Sequence, residues 1–161
     1  MATHPRRGWI MALIIGGLVG LAGATAAMAQ ASIFGEFTLS EASPTATANG
    51  FTNGFLPLTN VAGRDRQGQV CTGFADANPD YVMILQQDFA SLTIQVNSGG
   101  NDTTLLIQGP NDGTVRCGED TDRRNPDARI QDSGWAAGRY RIWVGSHNQG
   151  QRYDYSLSVN P

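Results

Sequence analysis

The chain has 161 residues, with 11 basic residues, all arginine, against 14 acidic ones, a formal net charge of −3. That balance excludes a reader of nucleic acid or of an anionic membrane surface working through bulk positive charge. Twenty glycines and seven prolines among many Asn, Asp, Ser and Thr residues demand numerous turns, and nothing after the first segment reads as a long amphipathic helix.

Residues 1–29 read as an export address. Arg6 and Arg7 form a short positive region, Trp9 to Ala22 is an uncharged apolar run, and Ala27-Met28-Ala29 is an A-x-A cleavage signal before Gln30. The apolar run falls short of the roughly 20 residues that a spanning helix needs. A membrane association is therefore expected only if this segment stays uncleaved. The Arg6-Arg7 pair also fits twin-arginine export, but His4-Pro5 before it matches poorly, so ordinary secretion is the expectation. Removing the segment leaves 132 of the 161 residues, nine arginines against 14 acidic residues and a net charge of −5. The destination is periplasmic or extracellular, where thiols oxidise. There the remaining cysteines, Cys71 and Cys117, most simply form one disulfide.

In sequence order, residues 32–40 alternate apolar and polar side chains at Ile33, Phe37 and Leu39, and predict a first strand. Residues 41–69 read as irregular loop holding one short strand, with Phe51, Phe55, Leu56 and Leu58 covering an edge. Tyr81–Leu85 is a short apolar run after the Asn78-Pro79-Asp80 turn. Leu92, Ile94 and Val96 alternate with Thr93 and Gln95 as in a half-buried strand. Strands are also predicted over Thr103–Gln108, Thr114–Cys117, Asp127–Gln131, Arg139–Val144 and Tyr153–Val159, with Gly/Pro/Asn/Asp turns between. Short strands at such spacing mean an all-β antiparallel sandwich or barrel. The sandwich, jelly-roll-like with roughly seven to nine strands and one intradomain disulfide, is the expectation. Residues 30–69 supply an N-terminal strand and irregular loop region, forming a single domain with a core over 70–161.

Two sequence stretches resemble the bacterial pre-peptidase C-terminal domain, related to the collagen-binding modules of bacterial collagenases. The first runs from Leu92-Thr93-Ile94-Gln95-Val96 through Asp102–Ile107, Gly109-Pro110 and Asp112-Gly113. The second is Ala137-Gly138-Arg139-Tyr140-Arg141-Ile142-Trp143-Val144-Gly145, followed by Tyr153-Asp154-Tyr155-Ser156-Leu157-Ser158-Val159. The resemblance covers about residues 78–159. It implies a small β-sandwich of secreted bacterial proteins, often appended to proteases, with a non-catalytic role in binding, targeting or maturation of a neighbour. No protease accompanies the pattern here, so a helper role would act on a separate polypeptide.

Three clusters carry candidate chemistry. Glu119, Asp120, Asp122 and Asp127, on a turn-rich segment with Asn125, offer the oxygen ligands that Ca²⁺ prefers, although Arg123 and Arg124 sit among them and no EF-hand spacing is present. Period-2 alternation puts Tyr140, Ile142 and Val144 on one face of their strand and Arg139, Arg141 and Trp143 on the other. An exposed Trp143 between those arginines would stack on sugar or peptide; a buried one would fill space. Catalysis finds little support: His147 is the only histidine after the export segment, no G-x-S-x-G elbow occurs, and nothing spaces two carboxylates as a glycosidase pair. The expected function is binding of an extracellular protein or glycan without catalysis. A calcium-stabilised structural or cell-envelope assembly role is the alternative, and a hydrolase the remote one.

Overall fold

The computed structural model describes Met1 and residues 31–161, so the export segment expected over 1–29 lies, Met1 apart, outside the described residues. Twelve strands in two sheets run through the described part. Strand β11 (Gly138–Ser146) is the centre of the first sheet. Its first half pairs antiparallel with β5 (Tyr81–Leu85), and its second half pairs antiparallel with β7 (Thr103–Gln108) on the opposite edge. Beyond β7 lies β8 (Val115–Gly118), and beyond β5 lies β1 (Gly35–Leu39). The β1–β5 pairing is parallel, a departure from the all-antiparallel expectation. Two-residue strands β3 (Leu56–Pro57) and β4 (Phe74–Ala75) extend this sheet from the end of β11.

The second sheet is antiparallel throughout, in the order β2 (Ala46–Phe51), β12 (Asp154–Asn160), β6 (Phe89–Asn97), β10 (Asn125–Trp135) and β9 (Asp120–Asp122). Between the sheets lies the main core. Leu92, Ile94 and Val96 of β6 meet Tyr140, Ile142 and Val144 of β11, with Tyr155, Leu157 and Val159 of β12 beside them. Each is an alternate residue of its strand, which is why one face of each sheet could be read from the sequence. Burial of such side chains contributes about 1.5–3 kcal/mol apiece before the entropy of ordering is set against it.

Residues 41–69 are more ordered than their composition suggests. Strand β2 pairs with β12 over its full length, from Phe51–Asp154 to Ala46–Val159. Farther on, a 3-10 turn at Leu58–Asn60 begins a layer laid over the outer face of the first sheet. Leu58, Cys71 and Ala75 of this layer close a second core with Leu106, Val115 and Trp143, flanked by Val61, Ala62 and Cys117. Gly73 makes the approach possible: its φ is +91°, and a Cβ there would stand 2.4 Å from the Thr104 hydroxyl. The Cys71–Cys117 disulfide staples the layer to β8.

That layer decides the fate of Trp143. Alternation does place it opposite Tyr140, Ile142 and Val144, yet it is only 2% exposed. Of the two readings of Trp143 the space-filling one holds, and a stacking surface of Trp143 with Arg139 and Arg141 is corrected. The indole is roofed by Leu58, Cys71 and Ala75, and only the two arginines reach the surface. Strand β10 is also longer than its predicted 127–131 core, running 11 residues.

The sandwich closes on one side and stays open on the other. Between β8 and β9 the backbone passes from the first sheet to the second, where the Glu119 carbonyl accepts the Arg129 N–H at 2.8 Å. On the far side the outer strands β1 and β2 leave a seam, filled by the partly buried Phe34, Phe37, Ala46 and Ala48.

Candidate functional site

The four carboxylates expected to gather round a cation are divided among separate tasks. Asp122 Oδ1 accepts the N–H groups of Arg124 (2.8 Å) and Asn125 (3.2 Å), which shapes its own turn. Asp127, 4% exposed, accepts from the Ser98 N–H at 2.8 Å, from the Ser98 hydroxyl and from the Gly100 N–H at 3.2 Å, so it clamps the 98–101 turn. Glu119 and Asp120 line a groove beside Arg129 instead. Burial pushes the Glu119 carboxyl up, and the nearby His147 pulls it back. Among the described residues no group of three or more His, Cys, Asp or Glu side chains could hold a metal ion. The reason is local: Asp122 and Asp127 spend their oxygens on backbone N–H groups, as short acidic side chains in turns do. The two arginines beside Trp143 are likewise committed. Arg139 pairs with Glu36 at 2.7 Å, and Arg141 reaches Gln108 at 2.9 Å and Asp112.

A different place has the shape of a binding site. An open cleft of about 590 Å³ lies across β2, β12 and β6 at the mouth of the seam. Strand register builds it: Gly50 lies opposite Tyr155, Phe51 opposite Asp154, and Ser156 opposite Asn97. Phe34 enters from the segment ahead of β1, held where Phe34 N–H donates to the Asp80 carbonyl at 2.8 Å and Ile33 N–H to the Pro79 carbonyl at 2.9 Å. Its ring meets Phe51 edge-on at 5.0 Å, and the Arg152 guanidinium sits 3.5 Å from the centre of the Phe51 ring. The Asn49 and Asn97 amides and the Asp154 carboxylate complete the walls. Aromatic edges with planar amides and one carboxylate are recognition chemistry: they offer area, donors and acceptors without a nucleophile.

Under the cleft lies a buried polar knot. Asp80, 1% exposed, accepts the Val144 N–H at 2.8 Å and the Tyr155 hydroxyl at 3.1 Å, and so ties β11 of one sheet to β12 of the other. Burial pushes its carboxyl up to about 7, against the pull of those two hydrogen bonds. The same burial raises the Tyr81 phenol to about 12 and holds Tyr155 far above the ordinary tyrosine range, so both stay neutral. The Tyr81 hydroxyl is buried beside the Tyr155 hydroxyl. Gly50 roofs this knot, since a Cβ there would lie 2.6 Å from the Tyr155 oxygen and 2.8 Å from the Tyr81 oxygen.

Sequence reasoning missed both cleft and knot. The available signal was Asp80 itself, an acidic residue joined directly to an apolar strand that is buried on both faces. The two Asn-Pro-Asp stretches, one ahead of β5 and one opening β10, prove to share a device: Asp80 and Asp127 each turn back to accept backbone N–H groups from distant strands or turns.

Comparison with solved structures settles the architecture. The pre-peptidase C-terminal domain of a collagenase from Bacillus anthracis superposes with a TM-score of 0.50 over 82% of this chain and 99% of that one, at 14% identity. The fold is that of a pre-peptidase C-terminal domain. Within this pre-peptidase C-terminal fold, the stretches that carried the resemblance are β6, β7, β11 and β12. The periplasmic inhibitor of g-type lysozyme from Aeromonas hydrophila, PliG, matches with a TM-score of 0.45 over 81% of this chain and 98% of that one, at 15% identity. No protein-family profile and no curated protein sequence matches the chain.

Proposed function

We propose that the protein is an exported, non-catalytic β-sandwich module that binds an extracellular protein or glycan through the cleft at Phe34, Phe51 and Tyr155. The cleft carries the reading: it is open, about 590 Å³, walled by aromatic rings and amides, and lined by no His, Cys or Ser. The disulfide supports an oxidising destination. The pre-peptidase C-terminal fold supports a binding role, because the structural neighbour is a domain of a collagenase. Collagen is therefore the first protein probe to try.

The test is direct binding of the oxidised protein to immobilised collagen and to a glycan array, with Phe51→Ala and Asn97→Ala beside the wild type. Phe51 is partly exposed and Asn97 exposed, so both variants should remain folded, which circular dichroism checks. Binding that both substitutions weaken at least tenfold supports the assignment. Binding that neither substitution changes removes the cleft from the account, and no binding to any probe favours a structural role in envelope assembly.

A further inference from the structure

The edge of the second sheet farthest from the cleft carries a groove that the proposed function leaves unused. It runs between the 64–70 loop and strands β8 to β10. A wider mouth of about 350 Å³ beside Val70, Glu119 and Asp120 leads to a slot of about 180 Å³ lined by Asp65, Gln67, Gln69, Arg116, Gln131 and Asp132, and Arg129 belongs to both. The loop wall is held in place from within. Asp65 Oδ1 accepts the N–H groups of Gln67 and Gln69, both at 2.9 Å, Arg66 N–H donates to the Val115 carbonyl at 2.9 Å, and Arg64 bridges to Val70. Nothing has to fold for the slot to exist.

Its own carboxylates are engaged at Asp65 and Asp132, and two arginine donors are left over. Arg66 and Arg116 share a single carboxylate, Asp132, at 3.3 and 2.7 Å. Arg116 is 2% exposed, lies 3.9 Å from the centre of the Trp135 ring, and keeps its Nη1 buried without a partner. Arg129 makes no ion pair among the described residues. Its Nη2 donates to the Gln131 amide oxygen at 2.6 Å, while its Nε is buried with no partner at all. Nε and Nη2 form one edge of the guanidinium fork, the edge that a carboxylate grips with both oxygens. Here one half of that edge is held by a neutral amide and the other half by nothing. A buried donor left unmatched is destabilising, and an arriving acceptor relieves that penalty.

We propose that this slot is a carboxylate-recognition site for a peptide ligand, in which Gln131 yields its hydrogen bond, the Arg129 side chain turns its buried Nε into the slot, and Nε and Nη2 together grip the carboxylate. Arg116 supplies the positive field behind it, and the Gln67 and Gln69 amides flank it. Glu119 and Asp120 at the mouth set the specificity: they repel polyanions and admit a lone carboxylate beside neutral or cationic neighbours. The carboxylate is either that of an acidic residue or the terminal one of a peptide.

Side-chain N–H spectra of the ¹⁵N-labelled, oxidised protein test this with three probes. N-acetylglutamate α-amide carries only the γ-carboxylate, N-acetylglutamine only a terminal one, and N-acetylglutamine α-amide none. The expected result is a saturable downfield shift of the Arg129 Nε–H with one of the first two, weakened by salt and absent with the third. The probe that acts identifies the source. Arg129→Gln, at a half-buried surface position, should abolish saturation of the neighbouring backbone resonances while leaving the rest of the spectrum in place. Shifts spread equally over Arg129, Arg139 and Arg152, or no saturable shift with either carboxylate probe at millimolar concentration, would overturn the proposal. Because the groove and the cleft are separate, loss of this site leaves binding at Phe51 intact, and the converse also holds.

Discussion

Asp80 should make the protein lose stability as the pH rises toward neutrality, the reverse of what a salt-bridged carboxylate does. Its carboxyl is pushed up to about 7 in the folded protein, chiefly by burial, against an ordinary 3.8 in the unfolded state. Between those values the folded state keeps a proton that the unfolded state has released. The linkage slope is then negative: the contribution is complete below about pH 4, declines by about 1.4 kcal/mol per pH unit, and is lost above about pH 7. Over that span the fall is roughly 4 kcal/mol, a sizeable part of the 5–15 kcal/mol typical of a domain. Asp80→Asn keeps the shape and cannot ionise. Its amide oxygen can accept the Val144 N–H and its NH₂ can donate to the Tyr155 oxygen, the two partners seen in the structure. Urea unfolding of both proteins at close pH intervals from about 4.5 to 8.5 gives two stability curves, and their difference isolates Asp80 from other carboxyls such as Glu119, which is also raised. The wild type should fall relative to the variant until about pH 7 and then run parallel to it. Curves that run parallel throughout would refute the reasoning and mean that Asp80 is ionised, or solvated, across the range.

Further expectations follow from the second core and the turns. Replacing both cysteines by serine opens a loop with a sequence separation of 46 and should cost about 4 kcal/mol on the chain-entropy argument, read from denaturant midpoints. Trp143→Ala should cost about 3–5 kcal/mol in thermal or urea unfolding, whereas Arg139→Ala, which breaks an exposed ion pair, should cost under about 1 kcal/mol. Gly50→Ala forces a methyl against the Tyr155 and Tyr81 oxygens and should lower stability by about 1–3 kcal/mol; an unchanged midpoint would show that the knot can move aside. Because Asp122 and Asp127 are engaged by backbone N–H groups, excess Ca²⁺ and chelator should give the same thermal midpoint, and a rise of several degrees with Ca²⁺ would contradict that division of the carboxylates.

The face turned to the main core announced itself. From Leu92 to Val96 in β6, Tyr140 to Val144 in β11 and Tyr155 to Val159 in β12 every second residue is large and apolar, and that period alone fixes which side faces the main core. Strand β2 gave no such signal, since Ala-Thr-Ala-Asn-Gly-Phe has little β preference; it is a strand because β12 offers it a partner along its whole length. The cysteine pair was legible from compartment and count. Trp143 was placed on the correct face by phase, but its surroundings depend on a segment some 70–85 residues earlier folding back over it, and periodicity carries no information about such a roof. The acidic segment misled for the opposite reason. Residues adjacent in sequence looked adjacent in purpose, while the turns between them aim each carboxylate at a different backbone. The cleft joins Phe34, Gly50, Asn97 and Tyr155 from four separate stretches, so only the register of three strands could reveal it.

The staple between Cys71 and Cys117 also orders events in time. Before the thiols join, the roof over Leu106, Val115 and Trp143 is held by noncovalent ties alone: the short β3–β4 pair and its link to β11, one isolated bridge, the contacts of Arg66 with Val115 and Asp132, and its own apolar packing. With its thiols reduced the chain is weaker by the whole worth of the cross-link. Oxidation converts a loosely lidded sandwich into a locked one. The covalent bond thus works as a latch, and the redox state of the surroundings sets how firmly the roof is closed.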